Sequence, residues 1–403
     1  MHVLMLTSTL PRWPGDQQAD FVGEMARAWL AARADARITI LAPHSPSSER
    51  TESQGRLTIN RFRYMRPESW QALAYPAILP NLKRRPWLVA QVPTFLAAQY
   101  AAASRIIETE RIDCVYAHWV MPQGPVALAL KRRLGVPYIL QTHSSDLAVF
   151  EKFGGAGRRL ARQLLSEAAH FFCVNSNQLE LARSILPSLG TDGQAPLATV
   201  LPMGVGESRP YSGEALHYDI GTIGRLSRKK GFDLLIKAAE SLAVAGLRPR
   251  ICIAGDGEEA LTLKPMVDAA DIAFPGFITG AAKDEFLASC ARFVFPAKAH
   301  GGDVEGLPVA LLEALMRGQP VLASRDTNIE SLPEWETIKP HVVFVPDPAR
   351  IDALAEGLAE LMARPPGSAA AASDVLARYR WENLIEEYLE PIECALGAQH
   401  FDC

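Results

Sequence analysis

The chain has 403 residues, close to half of them hydrophobic, and a net charge of −4. That length exceeds one ordinary core and predicts two domains. The slightly acidic balance gives wholesale nucleic-acid binding no support, and no apolar run of about 18 uncharged residues offers a membrane-spanning helix. The N-terminal "MHVLMLTSTLPRW" lacks the basic start and small-residue cleavage site of a signal peptide and reads as a first strand.

In chain order, "HVLMLT" predicts a buried strand, "DFVGEMARAWLAA" a helix and "ARITILAP" a strand. After an irregular stretch, "IDCVYAH", "PYILQTH" and "HFFCVNS" read as strands, separated by the helical patterns "GPVALALKRRLG" and "RRLARQLLSEAA" and followed by "QLELARSIL". Strands apolar on both faces, each followed by an amphipathic helix, predict a parallel sheet covered on both sides. Glycine, proline and serine then break the rhythm, giving a linker at 206–217 between a first domain, 1–205, and a second, 218–380. The second domain repeats the pattern with "YDIGTIG", "FDLLIKAAESLAVAG", "RICIAG", "EEALTLKPMVDAA", "IAFPGFI", "KDEFLASC", "RFVFPA", "LPVALLEALMRG", "PVLAS" and "VVFVP". A helical tail, "SDVLARYRWENLIEEYLEPIECAL", follows the joint "ARPPGSAAAAS", its last part, 381–403, forming a C-terminal helix. The predicted class is therefore α/β, two doubly wound Rossmann-like domains facing a ligand cleft.

Polar residues cluster just after predicted strands, where open parallel sheets bind ligands. "GTIGRLSRKKGFDLL" sets Arg225 one residue beyond a strand and Lys230 at a helix entrance. Gly224 and Gly231 flank them, and Arg228 and Lys229 read as solvated. Two cations at a helix N-terminus suit a diphosphate. "AGDGEE", with Gly255, is a strand-to-helix turn, but it is not GxGxxG, which weakens a nicotinamide reading. In "HGGDVEGLPVALLEALMRG", Pro308 fits a first helical turn. Glu305 stands at the loop end, and Glu313 lies further along the helix among leucines and alanines. Burying that carboxylate without a partner would be costly.

"EGLPVALLE" resembles the E-x7-E segment of retaining glycosyltransferases of the GT-B fold, family 4. "GRLSRKKG" resembles their phosphate-binding segment and "AGDG" the turn that follows. "FPGFITGAAKDEFLASC" is similar to a further family stretch, and "RYRWENLIEEYLE" to the closing helix, which crosses back to the first domain. The resemblance implies that Arg225 and Lys230 hold the donor diphosphate, Glu313 the ribose hydroxyls and Glu305 the transferred sugar. Gly306 and Leu307 would offer backbone N–H groups, and Phe277 and Ile278 would read the base edge. His118, in "YAHWVMPQG", would contact the donor sugar. His143 and Asp146, in "LQTHSSDL", would shape the acceptor side, with Ser144 where glycine is frequent in the family.

No third ligand accompanies His143 and Asp146 and no DxD motif occurs, so neither a metal nor any other cofactor is expected. The first strand-helix loop, "TSTLPRWPGDQQADF", departs from the family's Gly-Gly pattern with a single glycine, Gly15. It looks like a longer loop variant of enzymes in bacterial surface-polysaccharide assembly.

The stretch Asn60–Gln91 interleaves Arg61, Arg63, Arg66, Lys83, Arg84 and Arg85 with Phe62, Tyr64, Trp70, Tyr75 and Trp87. Such a mixture fits either an anionic membrane surface or a solvated insertion with arginines packed on aromatics. Cys114, Cys173, Cys252, Cys290, Cys394 and Cys403 form no CxxC pair and read as buried thiols of a reduced compartment, hence cytoplasmic.

The expected reaction moves a sugar from a nucleoside diphosphate to a glycan or lipid-linked hydroxyl in exopolysaccharide or lipopolysaccharide assembly. The Ala- and Arg-rich usage points to a bacterium. The alternatives are a sugar-nucleotide epimerase of the same fold, a dehydrogenase on twin Rossmann domains, and a non-catalytic sugar-nucleotide-binding partner.

Overall fold

The computed structural model describes residues 1–16, 18–143, 146–190, 197–206, 216–300 and 305–397. Most of the expected linker, Ser144, Cys403 and the loop just before Glu305 lie outside the described residues. Two compact units divide the chain, Met1–Gly204 with Leu384–Cys403 (unit 1) and Val205–Asn383 (unit 2).

Unit 1 carries eight strands: β1 (His2–Leu6), β2 (Arg37–Pro43), β3 (Thr51–Gln54), β4 (Leu57–Phe62), β5 (Cys114–His118), β6 (Tyr138–Gln141), β7 (His170–Cys173) and β8 (Leu197–Val200), in the order β3-β4-β2-β1-β5-β6-β7-β8. All neighbours are parallel except β3 and β4. The inner strands are buried along their length apart from Arg37 at the start of β2, as two covered faces require. The order reverses between β1 and β5, so the loop after β1 and the residue ending β5, His118, meet at a switch point.

The helix Trp381–Gly397 supplies Tyr388 to this unit. The Tyr388 ring lies against Phe172, and its hydroxyl donates to the Leu201 and Pro202 carbonyls and accepts from Gln141 Nε2. Arg33 reaches Glu386 and Glu393 of the same helix.

Unit 2 carries β9 (Ile220–Ile223), β10 (Ile251–Ala254), β11 (Ile272–Gly276), β12 (Phe293–Phe295), β13 (Val321–Ser324) and β14 (Val342–Val345), in the order β11-β10-β9-β12-β13-β14 and all parallel. Its switch point falls between β9 and β12, where the basic loop and the Glu305 loop both begin.

Three local expectations are corrected. "EEALTLKPMVDAA" forms only a short helix, Ala260–Leu263, and a 3-10 turn. Pro265 interrupts the ladder, and the Glu240 carboxylate captures the N–H groups of Asp268, Ala269 and Ala270. The tail also breaks: Arg380 is extended and bridges Val205, so helix Ala370–Leu376 and helix Trp381–Gly397 are separate. Cys394 is exposed, whereas Cys114, Cys173, Cys252 and Cys290 are buried.

Candidate active site

The strongest convergence of charge lies in unit 2. Gly231 has φ +69°, and a Cβ there would stand 1.9 Å from the Pro296 carbonyl oxygen. Only glycine lets the turn from the basic loop into helix Phe232–Val244 press against the strand end at Pro296. That turn aims two lysines at one carboxylate. Lys230 Nζ lies 3.0 Å from Glu305 Oε2, and Lys229 Nζ lies 3.4 Å from Oε1. Lys229 is therefore not the solvated residue its sequence context predicts, because the tight turn points both neighbours toward the Glu305 loop. Arg228 stays largely exposed and pairs with Glu259.

Glu305 is buried, which alone would raise its pKa. Lys230 and Lys229 outweigh that and hold it below the ordinary carboxylate range. The Asn328 side chain donates to the carbonyls of Glu305 and Gly306 at 2.9 and 2.8 Å, fixing the loop from beyond β13.

Arg225 is half-buried and donates from Nε to Glu258 Oε2 at 2.9 Å. Gly255, with φ +140°, brings the β10 turn against Gly224, whose carbonyl oxygen would sit 1.9 Å from any Cβ at Gly255. Lys230 also lines a small hollow with Thr222, Ile223, Phe232, Phe295, Ala297 and Pro308. A second hollow, in unit 1 where β1 and β2 begin, beside His2, Asp35 and Glu110, contains none of the residues singled out from sequence.

The helix after this loop begins at Val309; Pro308 is its extended N-cap rather than a residue of its first turn. Leu307 lies between Gly306 and that cap, in contact with solvent. Glu313 is 9 % exposed and does have a partner, which sequence reading missed: Lys283 Nζ donates to its Oε1 at 2.6 Å. Lys283 belongs to helix Ala281–Ser289, a few residues after Phe277 and Ile278, which follow β11 half-buried. The lysine carries no motif, and only the fold brings it to Glu313.

In unit 1, His118 is fully buried, so its ring does not face an open surface. Its Nδ1 lies 3.1 Å from His143 Nε2, and its own Nε2 is buried with no hydrogen-bond partner among the described residues. Burial pushes His118 down to about 3, and burial with the neighbouring His118 drives His143 well below the usual histidine range. The pair is neutral at pH 7. Phe21 and Trp119 pack on His143, and Trp119 holds φ +71°, a strained backbone for an aromatic residue.

Asp146 is buried and braces these loops: it accepts the N–H of Val120 at 2.7 Å and of His143 at 3.1 Å. Gly15, at φ +80°, closes a turn in which Arg12 grips Asp16 through Nε and a second nitrogen.

The basic-aromatic stretch divides. Arg61 is buried in β4, bonded to the Pro11 carbonyl and to Glu52, and Phe62 and Tyr64 are core residues. Arg63 pairs with Glu68. Arg66, Trp70, Lys83, Arg84, Arg85 and Trp87 remain exposed. Gln91 donates to the Trp70 carbonyl and thereby ties the two tryptophan-bearing segments together.

Comparison with known proteins agrees with this architecture. The family description "Glycosyl transferases group 1" matches residues 216–374, and "Glycosyltransferase Family 4" matches residues 19–187. The solved sucrose-phosphate synthase of Thermosynechococcus elongatus superposes with a TM-score of 0.71 at 17 % identity, over 98 % of this chain and 99 % of that one. Two parallel α/β units of this kind define the GT-B fold. The chain belongs to the family 4 glycosyltransferases.

A Mycobacterium tuberculosis relative, named GDP-mannose-dependent α-(1-6)-phosphatidylinositol monomannoside mannosyltransferase, is 26 % identical over 408 residues, covering 95 % of this chain and 96 % of its own length. A Bacillus subtilis relative provisionally named as a teichuronic acid biosynthesis glycosyltransferase is 26 % identical over 233 residues, 55 % of this chain. The chain spans 55–61 % of the length of two of the curated relatives it matches, the Bacillus protein among them.

Proposed function

We propose that the protein transfers a sugar from a nucleoside diphosphate to a hydroxyl of a glycan or lipid-linked acceptor, with retention of anomeric configuration, in bacterial surface-polysaccharide or glycolipid assembly. The observation that carries this reading is the convergence of Lys229 and Lys230 on Glu305 at the switch point of unit 2. The bond from the anomeric carbon to the diphosphate oxygen breaks, and a bond from that carbon to the acceptor oxygen forms on the same face. The acceptor proton passes to the leaving phosphate. Negative charge therefore grows on the diphosphate, and Arg225 with Lys230 offsets it as preorganised positive charge. Glu305 fixes the sugar, Glu313 the ribose, and the Gly306–Leu307 backbone assists at the phosphate, while Phe277 and Ile278 read the base. In unit 1, His118 belongs to the sugar side and Gly15, His143 and Asp146 to the acceptor side.

The names of the mycobacterial and Bacillus relatives support a lipid-linked or polysaccharide acceptor. The test is incubation with UDP-, GDP- and ADP-sugars and a polyprenyl- or phosphatidylinositol-linked saccharide, with the anomeric configuration of the product read by NMR. Inversion would remove the retaining mechanism. A free epimer formed without acceptor would replace transfer by epimerisation.

No helix among the described residues is long and apolar enough to cross a membrane. We infer that the exposed Arg66, Trp70, Lys83, Arg84, Arg85 and Trp87 instead hold unit 1 on an anionic membrane surface, the aromatic rings at headgroup depth and the cations on phosphates. Co-sedimentation with vesicles should rise with their phosphatidylglycerol content and fall when Lys83, Arg84 and Arg85 are changed to glutamate. Binding indifferent to lipid charge removes this surface from the reading.

A further inference from the structure

Glu313 is the one residue of the donor reading whose partner no sequence motif indicates. Its carboxylate is almost wholly buried, and its two oxygens are treated differently. Oε1 accepts from Lys283 at 2.6 Å, while Oε2 is buried with no hydrogen-bond partner among the described residues. Leaving one oxygen of a buried carboxylate unsatisfied is unfavourable unless a further donor completes it.

Lys283 is not needed merely to join its helix to that of Glu313. Asp284, the next residue, already bonds Arg317 at 2.7 Å, linking the same pair of segments one turn further on. Arg317 is buried, although its partner Asp284 is half exposed. Lys283 also follows by a few residues the segment that leaves β11 at Phe277 and Ile278, so one short stretch of chain carries both the proposed base-reading backbone and the partner of the ribose carboxylate.

We propose that Lys283 is a positioning residue for the nucleoside: it neutralises Glu313 through Oε1 and turns Oε2 toward the hydroxyls of the donor's ribose. The inference rests on the nucleotide-sugar reading above and adds to it the residue that makes the second glutamate usable. Without Lys283 the carboxylate would be free to turn toward water or other donors, and its acceptor oxygen would be lost to the ribose. With Lys283 in place Oε1 is held and Oε2 stays available, and an ion-paired carboxylate forms a stronger hydrogen bond to a hydroxyl than a neutral acceptor does.

The experiment compares a ribonucleotide with its own 2′,3′-dideoxy form, so that a general loosening of unit 2 weakens both and cancels. UDP, GDP and ADP are titrated calorimetrically into the wild-type protein, and the tightest is paired with its dideoxy counterpart. The wild type should favour the ribose form by about ten- to a hundredfold, the range for a hydrogen bond to a charged group. K283M should reduce that preference to about threefold or less, and K283R should restore most of it. A thermal melt checks that each variant is folded, and K283Q is read where K283M is not.

If K283M keeps the wild-type preference, Lys283 plays no part in ribose recognition and the inference fails while the donor reading stands. If the wild type binds a nucleotide but ignores the ribose hydroxyls, Glu313 is not their acceptor and the inference fails with that assignment. If none of the three diphosphates binds the wild type, the nucleotide-sugar reading itself is lost, and Lys283 with it.

Discussion

Replacing Lys230 with alanine is expected to lower sugar-transfer turnover by about 10²–10³-fold, the range seen when one preorganised charge-stabilising donor is removed. The reasoning is local. Lys230 reaches Glu305 and lines the hollow at the β9–β12 switch point, where a leaving diphosphate would gain charge. The fold itself should survive, because Lys229 still stands 3.4 Å from Glu305 Oε1 and continues to neutralise the buried carboxylate. Arg225→Ala should act in the same direction. It removes a guanidinium paired with Glu258, a partly exposed carboxylate that can turn to water instead. Steady-state assays with saturating acceptor, alongside thermal melts, separate lost catalysis from lost structure. Rates within about threefold of wild type in both variants would mean that the diphosphate is held elsewhere.

The second large effect is on stability. Gly231→Ala should destabilise unit 2 by about 3 kcal/mol or more, since two separate penalties combine there. The backbone sits at φ +69°, and the added Cβ would approach the Pro296 carbonyl oxygen to 1.9 Å, a backbone atom that cannot swing aside. Gly246→Ala makes a suitable control. Its φ is +93°, but a Cβ there meets no atom within 4 Å, so only the conformational penalty of about 1 kcal/mol applies. Hydrogen exchange of the β9 and β12 amides should accelerate far more in the first variant than in the second. Equal protection in the two would show that the Pro296 contact yields easily. Any folded Gly231→Ala protein should also transfer sugar poorly, because the displaced turn carries Lys229 and Lys230 with it.

The alternation of buried strands and amphipathic helices makes the six strands of unit 2 and β1, β2, β5, β6 and β7 of unit 1 legible in the sequence, since two-sided burial leaves continuous apolar runs such as "ILAP" and "CVYAH"; the less buried β3, β4 and β8 carry no such run and are not. Glycines that the fold requires, Gly231 and Gly255, were likewise visible as breaks between strand and helix. Side-chain partners were not. Lys230 and Glu305 are 75 residues apart, and Lys283 and Glu313 are 30 apart; nothing local encodes such a meeting. The direction of Lys229 depends on a left-handed turn, and the grip of Asn328 on the Glu305 loop depends on the neighbouring strand β13. Arg61 misled for a related reason. A basic residue among aromatics reads as surface, yet β4 turns it inward to the Pro11 carbonyl and Glu52. The resemblance sets Asp146 beside His143 on the acceptor side, but only the fold shows that its carboxylate also accepts backbone N–H groups of two loops, those of Val120 and His143.

The six strands of unit 2 run in one direction, so every loop named for the donor leaves the same rim of the sheet but hangs from a different strand. The lysine pair follows β9, the Glu305 loop follows β12, and the Phe277–Lys283 segment follows β11 at the sheet's outer edge. On the proposed donor assignment, nucleobase preference would drift through changes at the outermost strand while the pyrophosphate grip at the centre stayed untouched, a division of labour that would let one scaffold be re-addressed to new donors by replacing a single short segment.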